Sequence, residues 1–239
     1  MVAAASRVFF IAGTDTDVGK TVVAAGLLRA LGRAGRTTVG LKPVAAGCER
    51  VGGELVNSDA VALQRESSRR LDYAEVNPVA LEPGIAPHLA AAQVNLSLRC
   101  EQLVRHCDPW MDLIRKQELD VLVIEGAGGW LLPLNDRETL ADFCEALAAE
   151  VILVVGMRLG CLNHALLTVA EVEARGLRLA GWVANCLPPR MAELDANIAT
   201  LARRISAPCL ARVPSGEVGE RVEIASVHLD VEKLLEPPA

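Results

Sequence analysis

The residues best suited to chemistry form one segment near the start of the chain, Gly13-Thr14-Asp15-Thr16-Asp17-Val18-Gly19-Lys20-Thr21. It follows the apolar run 8–12 and precedes a stretch with helical periodicity. A strand, a glycine-bracketed loop and a helix together form a phosphate cradle. Backbone N–H groups and the helix N-terminus face the phosphates, the lysine neutralises them, and the hydroxyl reaches Mg²⁺. The segment therefore predicts a nucleotide-binding loop.

This loop departs from the usual phosphate-loop pattern in two ways. Five residues separate Gly13 from Gly19, where four are usual, and Thr14 stands where the first glycine is expected. Asp15 and Asp17 place two carboxylates in a loop that should hold anions. Both departures require an explanation that nucleotide binding does not by itself supply.

Further polar residues follow other apolar runs, and ligands collect at the carboxyl ends of strands in open parallel sheets. Lys42 follows the run 38–41. It fits two interpretations, a lysine that binds an anion and a solvated lysine at a strand end. Glu125 follows the run 121–124, and the glycines after it favour an acid associated with Mg²⁺ over a purely structural one. Asp59 follows Asn57, and on spacing alone it is more often a first-turn acid than a metal ligand.

The later runs end in residues that suit other parts of a ligand. Gly160 and Asn163 bracket a helix start whose N–H groups suit an anion such as a carboxylate. His164, in the same turn, fits packing or capping better than catalysis. Asn185 suits the edge of an adenine ring, although a turn-forming asparagine is the commoner interpretation, and Pro214 suits the far wall of a base pocket.

The elements that must position these residues alternate along the 239-residue chain. Aliphatic runs alternate with helical stretches, which predicts one α/β domain over residues 1–239, with a mostly parallel sheet and helices on both faces. The runs are 8–12, 38–41, 121–124, 151–155, 179–184 and 209–213. We interpret residues 73–95 as an ordered excursion over the strand tips. From 215 onward the chain is charged and weakly patterned, and residues 236–239 suggest a frayed tail.

Composition argues against several classes of function. A net charge of −6 without a long basic run argues against nucleic-acid binding. No 18-residue uncharged stretch or separate leader is visible, so we expect a cytoplasmic protein with no membrane partner. The seven cysteines form no C-x-x-C pair, which is typical of free thiols in a reducing compartment.

Taken together, several motifs resemble the dethiobiotin synthetase family, in the same order, over roughly residues 7–214. That family shares the five-residue loop spacing and has an acidic residue where Asp17 stands. The motifs are the loop 13–21, Lys42-Pro43-Val44, Asn57-Ser58-Asp59-Ala60, Pro87-His88, Val123-Ile124-Glu125-Gly126-Ala127-Gly128-Gly129-Trp130, Gly160-Cys161-Leu162-Asn163-His164 and Gly181-Trp182-Val183-Ala184-Asn185.

The resemblance implies a homodimeric P-loop NTPase-like ligase of a single domain. Such an enzyme closes a cyclic urea from 7,8-diaminononanoate and CO₂ (or bicarbonate), using ATP and Mg²⁺. One substrate amine, as its carbamate, attacks the γ-phosphate to give a carbamic–phosphoric anhydride. The second amine then closes the ring and expels phosphate.

The resemblance also implies residue roles. The catalytic residues would be Lys42, Lys20 and Thr16, and the Mg²⁺ ligands Thr21, Asp59 and Glu125. ATP would contact Asp17, Val18, Gly19, Lys20, Thr21, Val22, Glu125, Asn185 and Pro214. The substrate would contact Thr16, Asp17, Lys42 and Gly128, with its distal carboxylate held across the dimer interface by Gly160, Cys161 and Asn163.

Two positions differ from the family pattern, and two other functions remain as alternatives. Ala46 stands where many members have serine, and Asn197 lies nearest to a tyrosine found in some relatives. An amidoligase similar to cobyrinic acid diamide synthase would need a Cys-His-Glu glutaminase module, which is not visible here. A partitioning protein with a deviant phosphate loop would carry a second lysine early in the loop, where this chain has Thr14, Asp15 and Thr16.

Overall fold

The computed structural model describes residues 6–216 and 218–235, so the predicted tail at 236–239 lies outside the described residues. Its strands are β1 (Arg7–Gly13), β2 (Thr38–Leu41), β3 (Val44–Ala46), β4 (Glu49–Val51), β5 (Glu54–Val56), β6 (Val79–Leu81), β7 (Val121–Glu125), β8 (Glu150–Met157), β9 (Leu179–Cys186) and β10 (Cys209–Val213). Its helices are α1 (Lys20–Arg33), α2 (Ser58–Glu66), α3 (Tyr73–Val76), α4 (Pro87–Gln93), α5 (Cys100–Arg115), α6 (Leu140–Ala146), α7 (Cys161–Ala174), α8 (Leu194–Arg204), α9 (Val218–His228) and α10 (Val231–Leu235).

The central sheet has six strands in the order β10-β9-β8-β1-β7-β2, and every neighbouring pair is parallel. These strands are the six apolar runs, so the predicted mostly parallel sheet is confirmed. Their side chains are almost all buried on both faces, which explains why the runs are continuous rather than alternating. β8 extends through Gly156 and Met157, which the sequence pattern assigned to the following loop.

Helices cover both faces because parallel crossovers are right-handed. The chain moves from β1 through α1 to one edge strand, β2, and later moves through α6, α7 and α8 toward the opposite edge. This change of direction places α1 on one face and α6 to α8 on the other. On the first face α1 packs against α2 and α9, and elsewhere α5 packs on α6 and α7 on α8.

The excursion 73–95 is ordered, as predicted, but it also contains regular structure. It includes α3, β6 and α4, and β6 pairs in parallel with β3 outside the central sheet. β4 and β5 form a separate antiparallel hairpin. Three-residue strands are too short to show periodicity, so the sequence pattern did not reveal these elements.

The charged C-terminal region also folds back onto the domain. α9 lies against α1 so closely that a Cβ atom added at Gly26 would sit 2.6 Å from Cβ of Ala225. All seven cysteines are free, and Cys209 alone is exposed, in agreement with the predicted free thiols. No helix among the described residues is long and apolar enough to cross a membrane.

Candidate active site

Ten of the predicted site residues line one cavity of about 740 Å³ at the carboxyl edge of the central sheet. The phosphate loop follows β1, Lys42 follows β2 and Glu125 ends β7, and these three strands are neighbours. The parallel topology therefore brings these side chains together from distant parts of the chain. The ten residues are Thr16, Asp17, Gly19, Lys20, Thr21, Val22, Lys42, Asp59, Glu125 and Gly128.

Lys42 lies inside the cavity wall and forms a buried charge cluster. Its Nζ atom lies 2.6 Å from Oε1 of Glu125 and 3.1 Å from Oδ2 of Asp59, and it donates to the carbonyl oxygen of Gly126. Lys42 is 4 % exposed and Glu125 is 1 % exposed. The alternative of a solvated lysine at a strand end is therefore wrong.

Burial and mutual attraction act in opposite directions on the ionisation of this cluster. Burial alone would lower the pKa of Lys42, but Glu125 and Asp59 outweigh it and raise that pKa, so the ammonium stays charged. Burial raises the pKa of Glu125, although Lys42 partly offsets this effect. Burial also favours the neutral form of Asp59, but Lys42 and the hydroxyl of Thr21 more than compensate and lower the pKa of Asp59.

Lys20 lies at the phosphate-loop end of the cavity and is held by backbone oxygens. Its ammonium donates to the carbonyl of Gly128 at 2.7 Å and to that of Asp15 at 3.1 Å. Burial, followed by repulsion from Lys42, lowers its pKa to about 8. The ammonium groups of Lys20 and Lys42 therefore both point into one cavity. Carbonyl oxygens hold Lys20, and two carboxylates share Lys42. This arrangement suits a ligand with several negative charges.

The donor set beside these lysines fits Mg²⁺. The hydroxyl of Thr21 donates to Oε1 of Glu125 at 2.9 Å, whereas Oε2 of Glu125 is buried and has no hydrogen-bond partner among the described residues. Asp59 supplies a second carboxylate. No group of three or more His, Cys, Asp or Glu side chains in the described ranges could hold a metal. Mg²⁺ usually takes one or two carboxylates and completes its shell with phosphate and water, so this smaller set is sufficient.

The loop itself adopts a conformation that depends on glycine. Gly19 has a φ of 88° and immediately precedes α1, and Asp17 is left-handed as well, with a φ of 57°. A Cβ atom at Gly19 would lie 2.1 Å from Nδ2 of Asn185. Glycine is required there because β9 approaches the loop, and no side chain fits between them.

Three residues predicted to contact ATP do not line this cavity. Val18 is fully buried in the core, and its carbonyl oxygen accepts a hydrogen bond from the Asn185 amide at 2.5 Å. Asn185 is fully buried too, and its Oδ1 accepts from Arg221, so its amide links the loop to β9 and α9. Pro214 lines a separate cavity of about 150 Å³ at the ends of β8 to β10. An adenine contact by Asn185 or Pro214 stays a prediction.

The segment predicted to bind a distal carboxylate also lies outside the cavity. Gly160 is the left-handed N-cap of α7, and Asn163 lies exposed in the first turn of that helix. Cys161 is buried, and burial raises the pKa of its thiol, which is consistent with a backbone role. His164 is exposed and does not line the cavity, and its non-catalytic role stays a prediction.

The sequence reasoning assigned no site role to several residues of the cavity wall. Residues 84–87, Ala127 and Leu132 contribute apolar surface to this wall. Ala46, which replaces a serine common in the resembled family, also lines the wall. Arg221 of α9 closes the end near Gly19. Neither periodicity nor a motif marks Arg221, because its position depends on how α9 docks.

Comparisons with known proteins agree with this geometry. A family described as an AAA domain matches residues 7–221. The ATP-dependent dethiobiotin synthetase of Cellvibrio japonicus is 52 % identical over 96 % of this chain and 98 % of its own length. The enzyme of the same name from Pseudomonas aeruginosa is 48 % identical, with coverages of 95 % and 97 %.

A solved structure supports the fold alone. The signal recognition particle receptor FtsY from Elizabethkingia anophelis, in complex with GDP, matches with a TM-score of 0.52 at 14 % identity. The match covers 98 % of this chain and 65 % of the receptor chain. Both chains therefore share the P-loop NTPase-like arrangement of parallel strands and helices.

Proposed function

Since this chain belongs to the ATP-dependent dethiobiotin synthetase family, a family of ligases that form C–N bonds, we propose that it closes the cyclic urea of dethiobiotin. The substrates would be 7,8-diaminononanoate, CO₂ and ATP. One amine reacts with CO₂ to give a carbamate, whose oxygen attacks the γ-phosphorus and displaces ADP. The second amine then attacks the carbamate carbon, and the C–O bond to phosphate breaks. Inorganic phosphate leaves, and the attacking nitrogen loses a proton.

The observation that best supports this proposal is that Lys42, paired with two carboxylates, lines the same cavity as the phosphate loop. Transfer of a phosphoryl group to a carbamate brings two anions together, so cations must offset their repulsion. Lys20 would hold the β- and γ-phosphates from the loop side. Lys42, at the end of β2, would bridge the carbamate and the γ-phosphate.

Mg²⁺ would be held by Thr21, Asp59 and Glu125, directly or through water. When bound, it would neutralise phosphate charge and fix the orientation of the triphosphate. The unpaired Oε2 of Glu125 supports this role, because a buried carboxylate oxygen without a partner is otherwise costly. The two carboxylates that would hold the metal are the ones that pair with Lys42 in this structure.

The acidic loop explains how one segment could contact both substrates. Asp17 lines the cavity and bears a carboxylate, which matches the ammonium of the diamine better than a phosphate. Thr16 and the backbone of Gly128 lie on the same wall, where they would position the amines or the carbamate. Gly19, Lys20, Thr21 and Val22 would bind the phosphates at the start of α1. Val18 would contribute through its backbone, and Asn185 with Pro214 would contact adenine.

The distal carboxylate of the substrate would bind across a homodimer interface, at Gly160, Cys161 and Asn163. The turn that carries these residues is suited to an interface. Leu159 is 95 % exposed, and Leu167, further along α7, is 63 % exposed. A second copy that covered these leucines would place the α7 N-terminus at the interface. We place the enzyme in the cytoplasm, where the reducing conditions suit its free cysteines.

The experiment that tests the proposed function is product formation by the purified protein. With 7,8-diaminononanoate, bicarbonate, Mg²⁺ and ATP, the protein should give the cyclic urea and ADP in equal amounts. Mass spectrometry measures the cyclic urea, and a coupled assay measures ADP. Omission of the diamine should abolish ADP formation. ATP hydrolysis that yields no cyclic urea would refute the proposal.

A further inference from the structure

Arg221 is a buried cation to which the described residues offer no matching negative charge. Only 8 % of its surface is exposed, although it lies in the first part of α9. Its terminal nitrogen Nη2 donates a hydrogen bond of 2.5 Å to Oδ1 of Asn185. Its Nε atom is buried and has no partner, and the guanidinium forms no ion pair with a carboxylate in residues 6–216 or 218–235.

Such an arrangement costs free energy unless a ligand supplies the missing charge. Burial lowers the pKa of Arg221, but a guanidinium titrates so far above neutrality that it remains charged. A buried charge is normally paired, and an unpaired N–H group adds its own desolvation cost. By contrast, the nearby arginines of α1 are paired: Arg29 contacts Glu66 and Glu223, and Arg33 contacts Glu223.

The position of Arg221 indicates which ligand could supply this charge. It lines the main cavity beside the first turn of α1, and its Nη2 atom lies 3.6 Å from the position that a Cβ atom would take at Gly19. The first N–H groups of that helix have no intrahelical partner and face an anion. An anion in the loop would therefore be in reach of the Arg221 guanidinium.

Arg221 lies at the opposite end of the loop from the reacting groups. It contacts Asn185 on β9, whereas Lys42 and Glu125 belong to β2 and β7, on the other side of β1. If the γ-phosphate lies beside Lys42, the triphosphate runs along the loop, and its ribose end lies toward β9. The phosphate nearest to Arg221 is then the α-phosphate.

We propose that Arg221 is a nucleotide-binding residue whose guanidinium donates to the α-phosphate at the start of α1. This proposal rests on the proposed function in one respect, namely that a nucleotide occupies the phosphate loop. The hydrogen bond to Asn185 orients the guanidinium, and Asn185 in turn holds the carbonyl of Val18. Nucleotide binding would thus connect α9, β9 and the phosphate loop.

The test compares ADP binding to the wild-type protein and to Arg221→Met, without diamine or bicarbonate. We expect ADP to bind about tenfold more weakly to the variant, because a charge-assisted hydrogen bond is lost. In ³¹P NMR, the α-phosphorus resonance of bound ADP should shift, while the β-phosphorus resonance stays in place. Arg221→Lys should restore part of the affinity, since it keeps the charge but lacks the planar fork.

The control variant is Arg33→Met, which removes an ion pair between α1 and α9 without contact to the cavity. It should leave ADP affinity and both resonances unchanged. Unchanged ADP affinity in Arg221→Met would overturn the proposal. So would an affinity loss in which the α-phosphorus resonance does not move, because that result would assign Arg221 to base binding or to α9 docking. Cyclic urea formation is not measured here, so failure of the proposed function would be seen separately.

Discussion

The ammonium of Lys42 lies 2.6 Å from Oε1 of Glu125, in a pair that is almost completely buried. Asp59 approaches the same ammonium from α2. The lysine proposed to act on the reacting anions is therefore paired with the carboxylates proposed to hold Mg²⁺. A buried pair of this kind is costly to break on one side only, so the roles of Lys42 and of these carboxylates depend on each other.

Replacement of Lys42 separates binding from chemistry. In Lys42→Ala we expect ADP and ATP to bind within about threefold of wild type, because Lys20 and the α1 N-terminus remain. The rate of the chemical step should fall by about 10²–10³-fold, the usual cost of losing one charge-stabilising group. Single-turnover kinetics and an equilibrium nucleotide titration measure the two effects.

The control for this variant is Lys116→Ala, at an exposed lysine that follows α5. It should behave like the wild type in both assays. A large loss of ATP affinity in Lys42→Ala, together with an unchanged single-turnover rate, would contradict the role proposed for Lys42.

Asp59 should affect the requirement for Mg²⁺ more than the affinity for nucleotide alone. In Asp59→Asn we expect the Mg²⁺ concentration for half-maximal activity to rise about tenfold or more, as for other groups that support a metal site. Titration of Mn²⁺ by electron paramagnetic resonance, in the presence of ADP, checks the same point without turnover. Asp112→Asn, at an exposed position of α5, is the matched control. Equal metal affinity in Asp59→Asn and wild type would exclude Asp59 as a ligand.

The close approach of α1 and α9 should make two glycines of one helix respond in opposite ways. Gly26→Ala places a methyl group 2.6 Å from Cβ of Ala225, so we expect unfolding free energy to fall by about 1–3 kcal/mol. A Cβ atom at Gly32 meets no atom of the described residues within 4 Å. Gly32→Ala should therefore gain up to about 1 kcal/mol from helix propensity. Urea denaturation measures both, and equal effects would show that α9 does not pack as described.

The ion pair between Glu66 and Arg29 should give a stability that depends on pH. The hydrogen bond from Arg29 lowers the pKa of Glu66 below its ordinary value of 4.5. A lowered carboxylate pKa stabilises the fold above the unfolded value, and this stability is lost as pH falls through the folded pKa. Glu66→Gln should thus cost on the order of 1 kcal/mol at pH 7 and progressively less below pH 4.5.

Denaturation with urea at several pH values tests this expectation. Glu101→Gln, which removes an exposed pair with Arg105, should cost about 0.5 kcal/mol or less at every pH. A difference between wild type and Glu66→Gln that grew toward acid pH would have the wrong sign for the pKa shift.

Much of the site could be predicted because its residues lie at points that topology brings together. The phosphate loop is local, and Lys42 and Glu125 follow apolar runs whose strands are neighbours of β1. Once the runs are assigned to one parallel sheet, their ends must meet at one edge. The burial of Lys42 was not predictable, because the sequence pattern is equally compatible with a solvated lysine at the end of a strand.

The remaining features depend on long-range packing. Asn185 has a side chain that suits adenine, yet it bonds to Val18 and Arg221, and residue type alone does not distinguish these uses. Arg221 reaches the cavity only because α9 packs on Gly26 of α1. Such contacts leave no periodic signal in the sequence.

The measurement that tests the central claim most directly is oxygen transfer from CO₂ to phosphate. If the carbamate oxygen attacks the γ-phosphorus, one oxygen of the CO₂ leaves in inorganic phosphate when the ring closes. With ¹⁸O-labelled CO₂ and unlabelled water, mass spectrometry should detect one ¹⁸O atom in the phosphate for each cyclic urea formed, after correction for exchange with water. Unlabelled phosphate released together with the cyclic urea would contradict the proposed mechanism.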